Sequence, residues 1–258
     1  MIIRIIDTET TGFPPDCKVV EVATLDLVLD QATGQYVRGR SWSSLINPGI
    51  PIPPDMSAIH HITDDMVKDA PTIDQVMNKI LLLDDPDLQS PNYFAAHVAK
   101  FDRATLGFDK KNDTTGPFAL KWICSYKCAV SFWPDAPNFK NQTLRYYLGL
   151  KLSDPAAAIP HRAAGDVYVT GALIRRMLSS TLTDNTKVDP ELLVKISESP
   201  VLLPRLFFGK HATIPCSEIP IDYWDWVIKN ITDDEDVLFT ARTWHARKRN
   251  AARNKSPV

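Results

Sequence analysis

Two acidic side chains near the start of the chain are spaced so that they could share a metal ion. Asp7 and Glu9 lie one residue apart, directly after the apolar run 1–6. Residues i and i+2 of a strand project from the same face, so both carboxylates are expected side by side at the strand end. Two like charges this close raise each other's pKa unless a cation compensates them. An exposed strand end with two solvated acids is the alternative, and the pair alone does not decide between the two.

Two further acids and a histidine lie later in the chain, near predicted corners between elements. Asp102 begins a predicted helix soon after the apolar run 93–96, and Asp166 opens the last long predicted helix among apolar neighbours. His161 lies five residues before Asp166, a spacing that favours a place in the loop before the helix. Buried carboxylates usually have a metal or another cation as a partner.

Four carboxylates without a cysteine or histidine cluster are typical ligands of Mg²⁺ or Mn²⁺. Two such ions about 3.5–4 Å apart can hold a phosphodiester for in-line hydrolysis. A histidine with a pKa near neutral is suited to accept the proton of the attacking water. The residue types therefore favour metal-dependent hydrolysis of phosphodiesters.

The hydrophobic pattern predicts the elements that would position these residues. Strands are predicted over 2–7, 19–29, 36–46 and 93–98, and helices over 72–83, 122–132, 142–148 and 161–178. Four prolines within 47–54 exclude a regular element there. A strand hairpin followed by helices that alternate with a strand predicts an α/β sheet covered by helices.

A polar stretch at 179–187 marks the predicted end of the first domain. We expect one α/β domain over 1–182, a linker with a helix over 183–199, and a small C-terminal α+β module over 200–258. The module should contain two short strands around a turn and a Trp-rich helix. Its basic tail, 241–258, contains six Lys or Arg residues and no acid, which suits either phosphate contact or a solvated end.

The overall composition limits the class of protein. The chain has 258 residues, of which 44% are hydrophobic and 23% charged, and its net charge is −2. These values are typical of a soluble globular protein. No apolar run approaches the roughly 20 residues of a membrane helix, and the start is too short for a signal peptide, so a cytoplasmic protein without a membrane partner is expected. The four cysteines form no CxxC pair and predict neither a zinc site nor disulfides.

Three segments resemble, in order and spacing, the motifs of the DEDDh family of 3′–5′ exonucleases. They are IDTETTGF at 6–13, AAHVAKFD at 95–102 and HRAAGD at 161–166. The sibling DEDDy pattern needs a tyrosine four residues before the last aspartate, and that position is Arg162. The segments WICSYKCAVSFWPD and FGKHATIPCSEIP are similar to the exonuclease X group of the family.

The resemblance implies a ribonuclease-H-like exonuclease fold, with a central mixed sheet flanked by helices. It implies Asp7, Glu9, Asp102 and Asp166 as metal ligands and His161 as the general base. It also implies two Mg²⁺ or Mn²⁺ ions per site as cofactors.

Seven residues are predicted to contact the end of the substrate: Thr10, Thr11, Gly12, Phe13, His61, Ile62 and His97. Phe13 is expected to stack on the last base, with a core aromatic as the alternative. His97 is expected to orient Asp102 or the terminal nucleotide. Val98 replaces the Asn that family members usually have, which should alter a contact to the terminal nucleotide rather than the chemistry.

The resemblance implies hydrolysis at the 3′ ends of DNA, single-stranded and duplex, with release of nucleoside 5′-monophosphates in repair or recombination. The same chemistry on RNA ends is an alternative, because discrimination depends on contacts near the 2′ position. A nucleic-acid-binding adaptor without activity is the alternative of another class, and the complete set of five catalytic residues argues against it. Whether the protein forms a homodimer is left open.

Overall fold

A five-stranded mixed sheet lies at the centre of the molecule. The computed structural model describes residues 1–81, 90–108, 121–152, 160–181 and 187–253. Its strands are β1 (Ile2–Thr10), β2 (Val19–Asp30), β3 (Gln35–Leu45), β4 (Tyr93–Ala96) and β5 (Lys121–Cys124). They follow the order β3-β2-β1-β4-β5, with antiparallel pairs β1–β2 and β2–β3 and parallel pairs β1–β4 and β4–β5. The predicted mixed sheet is therefore confirmed.

Helices cover the sheet and continue to the end of the described chain. They are α1 (Pro54–His60), α2 (Asp64–Val67), α3 (Ile73–Leu81), α4 (Ala99–Thr105), α5 (Ser125–Phe132), α6 (Asn141–Tyr147), α7 (Ala163–Leu178), α8 (Pro190–Glu198), α9 (Ile221–Asn230) and α10 (Glu235–Arg253). The end of the helix predicted over 72–83 lies outside the described residues.

β1 is longer than predicted, and its length places both motif acids inside the strand. Asp7 pairs with Ala23 of β2, and Glu9 pairs with Glu21. The register shifts between Glu9 and Thr10. An irregularity of this kind bends a strand locally, so the chain leaves the sheet just after the second acid.

The segment 121–124 forms a strand, where the sequence predicts the start of a helix. Three of the four residues of β5 are buried, namely Trp122, Ile123 and Cys124. A short run that is apolar throughout carries no periodicity that separates a strand from a helix. The helical part of the predicted element begins only at Ser125.

The sheet is buried on both faces, as the apolar run of β1 predicts. Ile3 and Ile5 belong to one cluster that includes Leu173 of α7. Ile6 belongs to a second cluster that includes Ile80 of α3. Alternate side chains of one strand therefore serve two separate cores.

A glycine allows α7 to lie close to β2. A Cβ atom at Gly171 would lie 2.8 Å from Cδ2 of Leu25, which is closer than side chains pack. The close approach places the first turn of α7 beside the end of β1, where the acids of the first motif lie.

The C-terminal segment packs on the same core as the sheet. Leu203, Trp224 and Val237 belong to the cluster that includes Ile3. α8, within the predicted linker, contacts β5 and α5. The described part of this segment is thus continuous with the core of the first domain.

The C-terminal segment is more helical than predicted. The two expected short strands are reduced to a single antiparallel bridge between Arg205 and Pro215. Most of the predicted basic tail belongs to α10, and the last five residues lie outside the described range. No helix among the described residues is long and apolar enough to span a bilayer.

Candidate functional site

Three of the predicted metal ligands meet where β1 ends and α7 begins. Asp7 and Glu9 project from the same face of β1, and Asp166 lies in the first turn of α7. One carboxylate oxygen from each residue lies within 4.8 Å of the other two. Three acids from two elements thus offer oxygens close enough together to bind one cation.

Asp102 approaches the same site from α4 and is held by a neighbour on β1. Its side chain is buried, and its Oδ1 accepts a hydrogen bond of 2.9 Å from Oγ1 of Thr8. It lies outside the group of three close oxygens. Its charge nevertheless raises the pKa of Asp7, which shows that the fourth acid belongs to the same electrostatic cluster.

Burial raises the pKa of all four carboxyl groups. The pKa of Glu9 rises to about 8, first by burial and then by repulsion from Asp166 and Glu21. The pKa of Asp102 rises to about 7, mainly by burial. The pKa values of Asp7 and Asp166 are raised as well, with burial as the largest cause. The protein alone does not compensate four ionised acids here, so the site fits a divalent cation that oxygen ligands would hold.

His161 lies in the loop directly before α7 and is tied to the site through its main chain. Its backbone N–H donates a hydrogen bond of 3.1 Å to Oδ2 of Asp166. Its φ of 57° is in the left-handed region, which is uncommon for a residue other than glycine. The loop therefore folds back over the first turn of α7, and the exposed side chain of His161 lies on the solvent side.

An ion pair that the sequence analysis missed anchors this loop to the sheet. Glu21 of β2 is 3% exposed, and it accepts hydrogen bonds from Nε and Nη2 of Arg162 at 3.0 and 2.7 Å. It also accepts a hydrogen bond of 2.9 Å from the backbone N–H of Ala163, the first residue of α7. An acid inside the apolar run of β2 was the available signal, because buried acids are almost always paired.

Two amide side chains of α6, also missed, hold Asp166 from the other side. Nε2 of Gln142 donates to Oδ1 of Asp166 at 3.2 Å. Nδ2 of Asn141 lies 3.2 Å from the Asp166 carbonyl oxygen and 3.4 Å from its Oδ1. The two amides fix the carboxylate orientation, and the sequence gives no signal for this contact because it depends on how α6 packs on α7.

The turn after β1 is built from two of the predicted substrate contacts. Oγ1 of Thr10 donates to the carbonyl oxygen of Gly12 at 2.6 Å, and Oγ1 of Thr11 accepts from the backbone N–H of Lys18 at 2.9 Å. A Cβ atom at Gly12 would meet nothing within 4 Å, so the turn has open space beside it. Both threonine side chains therefore hold the turn in shape.

Phe13 is exposed at the edge of this turn. Its side chain is 76% exposed, and its ring meets that of Phe101 edge to face at 6.3 Å. The alternative interpretation of Phe13 as a core aromatic is therefore wrong.

The remaining predicted substrate contacts lie in contrasting surroundings. His61 is exposed and ends α1 with a left-handed φ of 59°. Ile62 is 0% exposed and packs with Val20 and Val67, so its side chain offers no surface to a nucleotide, contrary to prediction. The chain turns inward after His61, which is why the two neighbours differ.

His97 is bound within the protein at both ring nitrogens. Nδ1 lies 2.8 Å from Oγ of Ser125, and Nε2 lies 2.8 Å from the carbonyl oxygen of Phe139. Burial lowers the pKa of His97 to about 4, so the ring is neutral near pH 7. In this arrangement the ring has no nitrogen left for a substrate, while the next residue, Val98, is 48% exposed.

Comparisons with known proteins show what this chain is similar to. The RNase T family model, described as an exonuclease, matches residues 5–174. Exodeoxyribonuclease 10 of Escherichia coli strain K12 is 31% identical over 232 residues, which cover 89% of this chain and 91% of that protein. The likeness to the exonuclease X group is thereby confirmed.

Solved structures agree on the fold. The structure of exonuclease X in complex with 5′ overhanging duplex DNA matches with a TM-score of 0.58 and 30% identity, over 76% of this chain and 99% of that chain. The nuclease domain of 3′hExo, described as a DEDDh family member bound to rAMP, matches with a TM-score of 0.53 and 22% identity, over 73% of this chain and 94% of that chain. The expected ribonuclease-H-like exonuclease fold is confirmed.

Proposed function

Because the chain belongs to the RNase T exonuclease family, as a 3′–5′ exonuclease of the DEDDh type that acts on nucleic acids, we propose that its substrate is DNA. It removes nucleoside 5′-monophosphates one at a time from single-stranded and duplex 3′ ends, in the repair or recombination of DNA in the cytoplasm. Support for DNA comes from the relative named exodeoxyribonuclease and from the exonuclease X structure with duplex DNA.

The observation that carries the proposal is the cluster of four carboxylates, one buried and three half-buried, with raised pKa values. DEDDh exonucleases depend on divalent metal ions, and hard oxygen ligands suit Mg²⁺ or Mn²⁺. We assign Asp7, Glu9, Asp102 and Asp166 as the ligands of two ions. When bound, such ions supply the positive charge that lowers the pKa of the attacking water and stabilises the leaving oxygen.

His161 is assigned as the general base, which accepts the proton of the attacking water at a ring nitrogen. The hydrogen bond from its backbone to Asp166 fixes the base relative to a ligand. The ion pair between Arg162 and Glu21 then fixes the loop relative to the sheet. These contacts hold the proton acceptor in place without using the ring itself.

The turn after β1 is assigned to the terminal nucleotide. Open space beside Gly12 admits the end of a strand, and the exposed Phe13 ring offers a face to the last base. His61, exposed at the end of α1, is a further candidate contact for this nucleotide.

Digestion of matched oligonucleotides tests the proposal. Single-stranded DNA, duplex DNA with a recessed 3′ end, and RNA of the same sequence are each labelled at the 5′ end and incubated with Mg²⁺, Mn²⁺ or EDTA. We expect stepwise shortening of both DNA substrates with metal, release of nucleoside 5′-monophosphates, and no reaction in EDTA. Faster digestion of RNA than of DNA would overturn the substrate assignment, and internal cleavage would overturn the exonuclease mechanism.

Matched variants link the reaction to the site. Asp166→Asn removes one ligand charge, whereas Asp55→Asn makes the same change at an exposed position of α1. Hydrolysis should be lost in the first variant and kept in the second. Activity that survives Asp166→Asn in the folded protein would contradict the assigned ligands.

A further inference from the structure

A loop of the C-terminal segment contacts the segment directly before α6 and has no role in the proposed chemistry. Residues 205–215, named here the C-terminal loop, are closed by the bridge between Arg205 and Pro215. A further backbone hydrogen bond of 2.8 Å joins Thr213 N–H to the carbonyl oxygen of Leu206. The ends of the loop are therefore held together as in a hairpin.

The C-terminal loop is fixed to the segment that leads into the active site. Nη1 of Arg205 donates to the carbonyl oxygen of Ala136 at 3.1 Å, and the ring of Phe207 meets that of Phe139 edge to face at 6.2 Å. The carbonyl oxygen of Phe139 is bound by His97 of the second motif. Two residues after Phe139, Asn141 contacts Asp166.

This chain of contacts limits how far the loop lies from the carboxylates. Cα atoms two residues apart are separated by about 7 Å at most. Phe207 is therefore connected to Asp166 through Phe139 and Asn141, on the side of the site where α6 contacts that aspartate. A substrate strand that leaves the site on this side would pass over the loop.

The surface of the loop has the chemistry of a single-strand contact. Phe207 is 44% exposed although its ring edge packs on Phe139. Residues 205–215 include Arg205, Lys210 and His211 and contain no acid. Exposed aromatic rings stack on unpaired bases of any sequence, while nearby cations attract the phosphates.

The middle of the loop packs on Tyr223 of α9. The Lys210 ammonium lies 5.6 Å above the ring of Tyr223, and a Cβ atom at Gly209 would clash with the Tyr223 hydroxyl. Gly209 has a φ of 70°, so the turn requires glycine for both reasons. The middle of the loop thus lies against α9.

We propose that the C-terminal loop binds single-stranded DNA next to the 3′ terminal nucleotide, with Phe207 stacked on a base and Lys210 beside a phosphate. The inference rests on the proposed function, because the strand that the loop binds is the substrate strand that the active site shortens. It gives the C-terminal segment a role in substrate binding and leaves the chemical step to the carboxylates and His161.

Substrates of two lengths test the inference. Wild-type protein and Phe207→Ala are compared on a single-stranded 20-mer and on the p-nitrophenyl ester of thymidine 5′-monophosphate, which is too short to reach the loop. We expect KM for the 20-mer to rise about fivefold or more in Phe207→Ala, as for the loss of one stacked base, with KM and kcat for the ester unchanged. Phe207→Trp should restore KM, because it keeps an aromatic face.

Further variants distinguish a loss of substrate binding from a disturbance of the fold. Lys210→Ala should raise KM for the 20-mer and reduce its salt dependence. Phe239→Ala removes another exposed ring, 40% exposed on α10, and should change nothing. Unchanged KM for the 20-mer in Phe207→Ala would overturn the inference, as would an equal loss on both substrates, which indicates disturbance of Phe139 and His97. If the wild-type protein hydrolyses neither substrate, the proposed function fails instead.

Discussion

Two acids on neighbouring strands, Asp26 of β2 and Asp7 of β1, differ in whether the protein compensates their charge. Asp26 of β2 is 3% exposed, and both of its oxygens accept hydrogen bonds of 2.7 Å from Arg4 of β1. Asp7, three residues after Arg4 on β1, lies instead among other acids, and its pKa is raised well above the usual value for an aspartate. The same sheet therefore neutralises one buried acid with its own arginine and leaves the other for a cation from outside. The difference separates a structural charge from a functional one.

The largest loss of activity is expected when an acid of the candidate metal site is replaced. Asp7→Asn removes a ligand charge and one source of repulsion, so hydrolysis should fall at least about 10³-fold, as for the loss of a member of a catalytic unit. The free energy of unfolding in EDTA should rise, because a buried charge that lacks a partner is gone. Steady-state kinetics and urea unfolding measure the two quantities. A less stable Asp7→Asn protein would contradict the idea that repulsion strains the metal-free site.

Removal of the arginine that neutralises Asp26 should instead lower stability and leave activity unchanged. Arg4→Met leaves Asp26 buried without its cation, which should cost about 3–5 kcal/mol of unfolding free energy. The specific activity of the folded fraction should stay close to that of the wild type. Urea unfolding with activity normalised to the folded fraction measures this. A selective loss of kcat with unchanged stability would show that the Arg4 pair belongs to the active site.

The pH dependence of the free energy of unfolding distinguishes the acid cluster of the site from the ion-paired Asp26. The pKa of Glu9 is raised from 4.5 to about 8, so between these values the native metal-free protein binds more protons than the unfolded chain. The free energy of unfolding in EDTA should therefore fall as pH rises from 5 to 8, by on the order of 3 kcal/mol for Glu9 alone. Asp7→Asn should flatten this dependence. Stability that rises over this range in EDTA would contradict the raised pKa values.

A smaller loss of activity is expected at Glu21, whose ion pair with Arg162 holds the loop that carries His161. Glu21→Gln keeps the shape of the side chain but loses the ion pair with Arg162, which should reduce kcat about 10- to 100-fold with little change in KM. Glu218→Gln, at an exposed position, is the matched control. A double-mutant cycle with Arg162→Lys shows whether the loss passes through this pair. An unchanged kcat in Glu21→Gln would remove the proposed positioning role.

Local periodicity explains which parts of the site could be predicted. Asp7 and Glu9 come together because residues two apart on a strand share a face, which the sequence alone dictates. Asp102 and Asp166 were selected from their places near predicted corners between elements, and the family resemblance then implied their role as ligands. The supporting contacts of Asn141 and Gln142 depend on the packing of α6 on α7, and no local pattern encodes it.

Other parts of the fold escaped prediction for different physical reasons. β5 is too short and too apolar to show a period of two or of 3.6 residues. Residues 241–253 were interpreted as part of a basic tail, although they belong to α10, whose first turn contains acids that favour a helix start. Ile62 was assigned by analogy to a substrate loop, whereas burial of an apolar side chain decides its place.

Proton release on metal binding tests the central claim most directly. Titration of the metal-free protein with Mn²⁺ is followed by calorimetry at pH 7 in two buffers that differ in ionisation enthalpy, which gives the number of protons released. Because the pKa values of Glu9 and Asp102 lie at about 8 and about 7, binding to the acid cluster should release at least about one proton per chain. Asp166→Asn should weaken binding strongly. Binding of Mn²⁺ without proton release, or equal binding by Asp166→Asn, would contradict the assignment of the four carboxylates as the metal site.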